Sequence, residues 1–119
     1  MRQGQSNFRT SVDAAYGGRC AITGVADRTA LEAAHIAPYL GVGSNDPRNG
    51  LLLRRDAHAL FDAFLLTITA AGDVLLSPSV VSPGYSAWLR ASLPTAPQHI
   101  PDPTALLRHN TEFHRRLQP

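Results

Sequence analysis

The segment NGLLLRRDAHALFDAFLLTI, residues 49–68, predicts a short apolar stretch followed by a helix. Residues 51–53 are apolar and brief, and from residue 54 to residue 64 the apolar side chains recur at helical spacing. His58 and Asp62 are four residues apart, so they lie together on this helix, beside its apolar face. The predicted helix therefore presents a ring nitrogen and a carboxylate side by side.

Working outward, the flanking segments predict short elements. A first helix is expected over residues 6–16, where Gly17 and Gly18 stop the helical pattern. Strands are expected at residues 19–23 and 31–36, a long turn-rich loop at 39–51, and a β-hairpin from 65–70 and 74–77. The loop is long for a compact domain, and such loops often carry function.

The C-terminal part is rich in proline, with six of the nine prolines between Pro78 and Pro103. We expect it to wrap the core as a connection with at most a short helix near residues 85–91. Asp102 and Pro103 suit the cap and first position of a last helix. Together these elements predict a single α+β domain over residues 1–119.

Composition excludes several classes of protein. The chain has 119 residues, 44% hydrophobic and 17% charged, with a net charge of +2, so it is neither a disordered polyelectrolyte nor a histone-like arm. Its one cysteine, Cys20, forms no internal disulfide or zinc ribbon, and we expect it in the core. Apolar runs of four or five residues are too short to span a membrane, which predicts a soluble, cytoplasmic protein without a membrane partner.

Four phrases together carry a family resemblance: GQSNFR at residues 4–9, RCAITG at 19–24, LEAAHIAPY at 31–39, and the segment at 49–68. In this order they resemble the HNH endonuclease family, in particular the cysteine-free branch found as the C-terminal nuclease domain of restriction-type enzymes. The resemblance implies a ββα-metal core at about 19–64, with an N-terminal helix, a following β-hairpin, and a Pro-rich wrap and last helix over 78–119. It implies a metal-dependent DNA endonuclease, as the nuclease module of a restriction or defence system.

The chemistry of phosphodiester cleavage assigns expected roles to the matching residues. His35, at a strand end, is the candidate base that takes a proton from water. His58 and Asp62 are candidate ligands for one divalent ion, with Mg²⁺ or Mn²⁺ first and Ni²⁺ or Zn²⁺ also open. Asn49 is expected to pin the loop and orient His35 through backbone hydrogen bonds. His35, Asn49 and His58 form the predicted catalytic set.

One position departs from the family pattern. Many members carry a metal-holding Asp or His immediately before the base, whereas this chain has Ala34. Only two direct protein ligands are then expected, with Glu32, Asp46 and Asp56 as possible indirect partners. Water and substrate phosphate would complete the coordination of a loosely bound ion.

Three arginines near the predicted site, Arg48, Arg54 and Arg55, are candidate phosphate contacts, although a solvated helix start explains Arg54 and Arg55 equally well. Because the net charge is only +2, we expect a separate targeting domain, a partner chain or a homodimer to supply DNA specificity.

Two alternatives remain open. The chain could be a catalytically decayed module of the same fold that binds DNA or protein, or the toxin part of a competition system. The remaining histidines, His99, His109 and His114, are expected to lie outside the site.

Overall fold

The computed structural model describes residues 3–38, 45–90 and 101–117. Within these ranges, four α-helices and four β-strands form the regular structure, with 3₁₀ turns at Arg28–Ala30, Pro47–Asn49 and Ala87–Arg90. In chain order the elements are α1 Gln3–Ala15, β1 Leu31–His35, β2 Gly50–Arg54, α2 Arg55–Asp62, β3 Leu66–Ile68, β4 Val74–Leu76, α3 Pro83–Ser86 and α4 Pro103–Leu117. The predicted α+β class is confirmed.

Strands β1 and β2 form an antiparallel pair that leads directly into α2. The pairing places Leu31 opposite Arg54 and His35 opposite Gly50. Every residue of β2 before Arg54 is buried, which explains why this strand appears in the sequence as an unbroken apolar run. Since α2 begins at the next residue, Arg55, the two strands and the helix form one ββα unit.

The predicted strand at residues 19–23 is wrong. This segment is a turn between Gly18 and Gly24, both with positive φ, in which the Gly24 N–H donates to the Cys20 carbonyl. Cys20 and Ala21 are buried in the core, and the Ala21 N–H donates to the Leu52 carbonyl of β2. The apolar residues of this turn fill the core. Their burial gives the sequence the composition of a short strand, although the segment is not part of a sheet. Both strands of the ββα unit therefore lie after residue 30.

Helix α1 packs against the β1–β2 pair at Gly50. Phe8 and Val12 are buried there. A Cβ atom added to Gly50 would lie 2.9 Å from Phe8 Cζ and would also overlap Val12 Cγ2. Glycine at this position allows the helix to approach the strand closely, and Phe8 thereby reaches the end of β1.

The β3–β4 hairpin and α4 close the other side of the ββα unit. The hairpin pairs Leu66 with Leu76 and Ile68 with Val74, as the alternating pattern predicts. Helix α4 begins at Pro103, and the Thr104 N–H donates to Asp102 Oδ1 at 2.9 Å, so the predicted N-cap is confirmed. Helix α4 contacts β3 and brings His109 to the end of α2.

Helix α3 and the following 3₁₀ turn agree with the predicted short helix near residues 85–91. The glycines Gly41 and Gly43 of the predicted loop, and His99 in the proline-rich segment, lie outside the described residues. Within the described ranges, no helix is both long and apolar enough to cross a membrane.

Candidate active site

An open cleft of about 440 Å³ lies between the end of β1, the last turn of α2 and α4. The cleft brings His35 together with His58 and Asp62, which lie more than twenty positions later in the sequence. Its other lining residues are Ala33, Ile36, Pro38, Phe64 and His109. A nitrogen base and a nitrogen–carboxylate pair therefore border one solvent-accessible space.

His35 is the last residue of β1 and is partly buried. Its imidazole ring stacks on Phe8 of α1, with the ring centroids 4.0 Å apart and the planes 2° from parallel. Its Nε2 atom lies 2.9 Å from Oδ1 of Asn45. The ring is thus supported on one face by α1 and at its edge by an amide from the segment before β2.

Asn49 is buried and holds the chain that leaves β1. Its Oδ1 accepts the Ala37 N–H at 2.8 Å, and its Nδ2 donates to the Ala37 carbonyl at 3.2 Å. Its backbone carbonyl accepts the Ile36 N–H at 2.9 Å. These bonds fix the two residues that follow His35, so Asn49 contacts the backbone where the sequence analysis expected it to act.

His58 of α2 lies between two carboxylates, that of Glu32 on β1 and that of Asp62 on the same helix. Its Nδ1 is 2.7 Å from Glu32 Oε1, and its Nε2 is 3.0 Å from Asp62 Oδ2. The hydrogen bond to Asp62 is the main cause that raises the pKa of His58 above 6.5, burial opposes the rise, and the bond to Glu32 adds to it. The His58 side chain is 22% exposed and that of Asp62 is 61% exposed, so this pair faces the solvent side of the cleft.

The His58–Asp62 pair fits a divalent ion. Two adjacent ligands on an octahedral ion, with bonds of about 2.1 Å, are about 3 Å apart, which is the separation that Nε2 and Oδ2 already have. Glu32 can hold the proton on Nδ1 and leave the Nε2 lone pair for a metal, a common arrangement behind metal-binding histidines. Glu32, which the sequence suggests only as an indirect partner, thus contacts His58 directly.

The protein ligand set is small. Within residues 3–38, 45–90 and 101–117, no three His, Cys, Asp or Glu side chains are grouped so that they could hold a metal ion. Ala34 is fully buried in the core and supplies no donor. Among the described residues, the candidate ligands are therefore the two from α2, which leaves the other positions of an ion to water and substrate oxygens.

The three predicted phosphate contacts have different surroundings. Arg54 donates through Nε and Nη2 to both carboxylate oxygens of Asp56, at 2.8 and 2.6 Å, so a phosphate would compete with that carboxylate. The side chain of Arg55 is 68% exposed and lies 3.6 Å from Glu32 Oε2. Arg48 is exposed at the 3₁₀ turn before β2. Arg55 and Arg48 are thus the more accessible of the three.

His109 lines the cleft although it was expected outside the site. Its Nδ1 lies 2.7 Å from Thr67 Oγ1, and its Nε2 lies 2.8 Å from the Phe61 carbonyl. Burial lowers the pKa of His109 below 6.5. Because both ring nitrogens bond to the protein, His109 supports the end of α2 and is not available as a metal ligand. His114 is exposed on α4 and does not line the cleft.

Two residues of the site were missed or undervalued in the sequence. Asn45 was counted only as part of a turn-rich loop, and Glu32 carried no local signal. The pairing of β1 with β2 brings the segment before β2 and the helix after β2 close to β1, and the two side-chain contacts join residues 10 and 26 positions apart. A charged residue three positions before His35 in the same strand was the available hint for Glu32.

Comparisons with known proteins agree with this geometry. Residues 20–69 match the sequence model of the family described as HNH endonuclease. A solved structure, the "Modification dependent TagI restriction endonuclease", superposes with a TM-score of 0.64 and 22% identity over 90% of this chain, which shows a shared fold. The chain spans 37% of the length of that protein. No curated protein matches the chain. Through residues 20–69, which contain the ββα unit, the chain is similar to the HNH endonuclease family.

Proposed function

We propose that this chain is a metal-dependent DNA endonuclease that hydrolyses phosphodiester bonds. The observation that carries the proposal is the cleft where His35 of β1 shares one space with the His58–Asp62 pair of α2. The match of residues 20–69 to the HNH endonuclease family supports a nuclease role, and the residues that border the cleft fit the roles of a base and a pair of metal ligands. The whole chain, residues 1–119, would act as one nuclease domain.

The residues divide the work of hydrolysis. His35 takes the proton from the attacking water, because an imidazole can accept a proton near neutral pH. His58 and Asp62 hold one divalent ion, Mg²⁺ or Mn²⁺ first, which supplies positive charge beside the scissile phosphate. In this proposal Arg55 and Arg48, both exposed, contact phosphates of the substrate. Asn49 fixes the backbone that follows His35. Asn49 thus keeps the base in position without touching the reacting atoms.

A role in a restriction or defence system is part of the proposal. The structural neighbour is described as a modification-dependent restriction endonuclease, and this chain spans 37% of that protein. A nuclease domain of this size with a net charge of +2 has few basic residues for sequence recognition. We therefore propose that a separate targeting domain or a second copy of the chain directs it to its DNA.

Cleavage of plasmid DNA tests the activity. We expect nicking or cutting with Mg²⁺ or Mn²⁺ that stops when EDTA is added. His35→Ala is expected to lower the rate by about 10² or more, as loss of a general base does. His114→Ala is the control, because this exposed histidine does not line the cleft. Equal rates for the parent and the His35→Ala protein would refute the assignment of the base.

The burial of Ala34 favours one alternative, a catalytically decayed module that binds DNA or protein. At this position many family members carry a further metal ligand. The alternative predicts DNA binding that does not depend on divalent ions, no heat of Mn²⁺ binding in calorimetry, and no cleavage with any ion. The endonuclease proposal predicts the opposite result in the last two measurements.

A further inference from the structure

Asn45 touches the ring of His35 although it belongs to no strand or helix of the ββα unit. Its Oδ1 atom lies 2.9 Å from His35 Nε2. A carbonyl oxygen only accepts hydrogen bonds, so this contact requires a proton on Nε2. In a neutral imidazole one nitrogen carries the proton and the other carries the lone pair.

We infer that Asn45 is a positioning residue that fixes the tautomer of His35. With the proton held on Nε2, the nitrogen able to take up another proton is Nδ1. The choice of tautomer is a property of the folded protein by itself. The further statement that Nδ1 receives the proton from water rests on the proposed endonuclease function.

Within the described residues, the amino group of the same amide makes no competing hydrogen bond. Asn45 Nδ2 is buried and has no partner among these residues. An unpartnered buried N–H group lowers stability, so it is a cost of this orientation. The hydrogen bond between Oδ1 and His35 Nε2 is therefore the contact, among these residues, that orients the amide.

Phe8 completes the support of the ring. It stacks on the flat face of His35 with planes 2° apart, whereas Asn45 meets the ring at its edge. Stacking restricts the tilt of the ring but does not distinguish its two nitrogens. An edge contact with an acceptor does distinguish them. Asn45 therefore supplies the part of the orientation that Phe8 does not.

The tautomer is tested by nuclear magnetic resonance on the metal-free, ¹⁵N-labelled chain. Long-range proton–nitrogen spectra above pH 7.5 distinguish a protonated Nε2 from a protonated Nδ1, and the spectrum of His35→Ala identifies the His35 signals. We expect the Nε2–H form in the parent. Asn45→Asp keeps an acceptor oxygen and is expected to keep the Nε2–H form, while Asn45→Ala is expected to give a mixture of the two tautomers. Asn7→Ala, an exposed change on α1, serves as the control.

Two results would overturn the inference: a dominant Nδ1–H form in the parent, or the same Nε2–H form in the parent and in Asn45→Ala. Neither depends on cleavage, so the tautomer is decided even if the chain cuts no DNA. Because Asn45→Asp keeps the acceptor, a dominant Nδ1–H form in that variant would also overturn the inference, and this result can be obtained even if the alanine variant folds poorly.

Kinetics then test the step that depends on the proposed function. For Asn45→Ala we expect kcat to fall about 10-fold to 100-fold with little change in KM, as for other residues that orient a catalytic group. Asn45→Asp is expected to retain more activity than Asn45→Ala. A mixed tautomer with an unchanged kcat would refute the assignment of Nδ1 as the base nitrogen while leaving the role of Asn45 in the folded protein intact.

Discussion

The Oε1 atom of Glu32, on strand β1, lies 2.7 Å from the Nδ1 atom of His58, on helix α2. This contact joins the strand that ends in His35 to the helix that carries the proposed metal ligands, His58 and Asp62. Glu32 also lies within 3.6 Å of Arg55 through its second oxygen. One carboxylate therefore orients the ring of His58 and balances the charge of its neighbouring arginine.

Replacing Glu32 with glutamine is expected to weaken metal binding. A neutral amide holds the proton on His58 Nδ1 less strongly, so Nε2 becomes a poorer ligand, and a loss of about 10-fold to 100-fold in affinity for Mn²⁺ is expected. Isothermal titration calorimetry measures it. Glu112→Gln is the matched control, because this glutamate pairs with Arg115 and Arg116 on α4 and not with the cleft. Equal affinities for the two variants would contradict the role of Glu32.

The accessible arginine at the start of α2 is expected to contact a DNA phosphate. Arg55→Ala should reduce the slope of the logarithm of DNA affinity against the logarithm of salt concentration by about 1, since one phosphate contact is lost. Arg28→Ala is a close control: its side chain is 69% exposed and also pairs with a carboxylate, that of Asp13. Fluorescence anisotropy with labelled DNA at several salt concentrations gives both slopes. If the two variants change the slope equally, Arg55 makes no special contact.

Adding one methyl group at Gly50 is expected to disturb the support of His35. In Gly50→Ala the new Cβ would lie 2.9 Å from Phe8 Cζ and would overlap Val12, so α1 must shift. Overpacking of this kind costs about 1–3 kcal/mol of unfolding free energy. Gly84→Ala is the control, because a Cβ there meets no atom within 4 Å, and in helix α3 it should be neutral or gain up to about 1 kcal/mol. Urea unfolding measures both, and equal stabilities would show that α1 has room to move.

The buried His109 predicts a dependence of stability on pH. Burial lowers its pKa in the folded chain, while in the unfolded chain it returns to about 6.5. Between these two values the unfolded chain binds more protons, so the contribution of neutral His109 is complete above about pH 6.5 and is lost as the pH falls toward the folded value. Asp62 raises the pKa of His109 and Arg116 lowers it, so these two charges modify the size of the effect.

A comparison with His109→Gln isolates this effect. His58 acts in the opposite direction, because its pKa is raised and its contribution is lost as the pH rises. The difference between parent and variant removes the contribution of His58. Unfolding free energies at pH 8, 7, 6 and 5 should show a steeper loss toward acid in the parent than in His109→Gln. Parallel curves would mean that His109 titrates normally in the folded chain.

The elements that the sequence predicted correctly have local signals. Helix α2 follows from the spacing of its apolar residues, and the cap at Asp102 follows from two adjacent residues whose conformational preferences agree. The hairpin from β3 and β4 has apolar residues that alternate with a threonine in β3 and a turn at Gly72. In each case neighbours within a few positions determine the structure.

The segment at residues 19–23 shows where local signals mislead. Cys20 and Ala21 are apolar residues buried in the core, and the glycines on either side of them set the conformation of the segment. A buried turn and a short buried strand have the same composition. Only the backbone contacts that the segment makes elsewhere in the fold distinguish the two structures. Here Ala21 contacts Leu52, which lies more than thirty positions away.

The site divides in the same way. His58 and Asp62 were identifiable because one helical turn joins them. The contacts of Glu32 and Asn45 depend on the register of β1 against β2 and on the path of the chain between the strands. His109 was expected outside the site, yet it lines the cleft. Its hydrogen-bond partners lie more than forty positions away in the sequence.

Two hydrogen bonds join the side chain of Asn49 to the backbone of Ala37. The position of the chain that follows His35 therefore does not depend directly on how many residues lie between Ala37 and Asn49. Since the two ends of this connection are bonded to each other, extra residues inserted before Asn45, which contacts the ring of His35, need not move His35. Loop-closure entropy grows slowly, by about 0.6 kcal/mol for each doubling of length. The part of the connection before Asn45 is therefore a natural point of insertion, where segments of different lengths can be grafted while the cleft keeps its geometry.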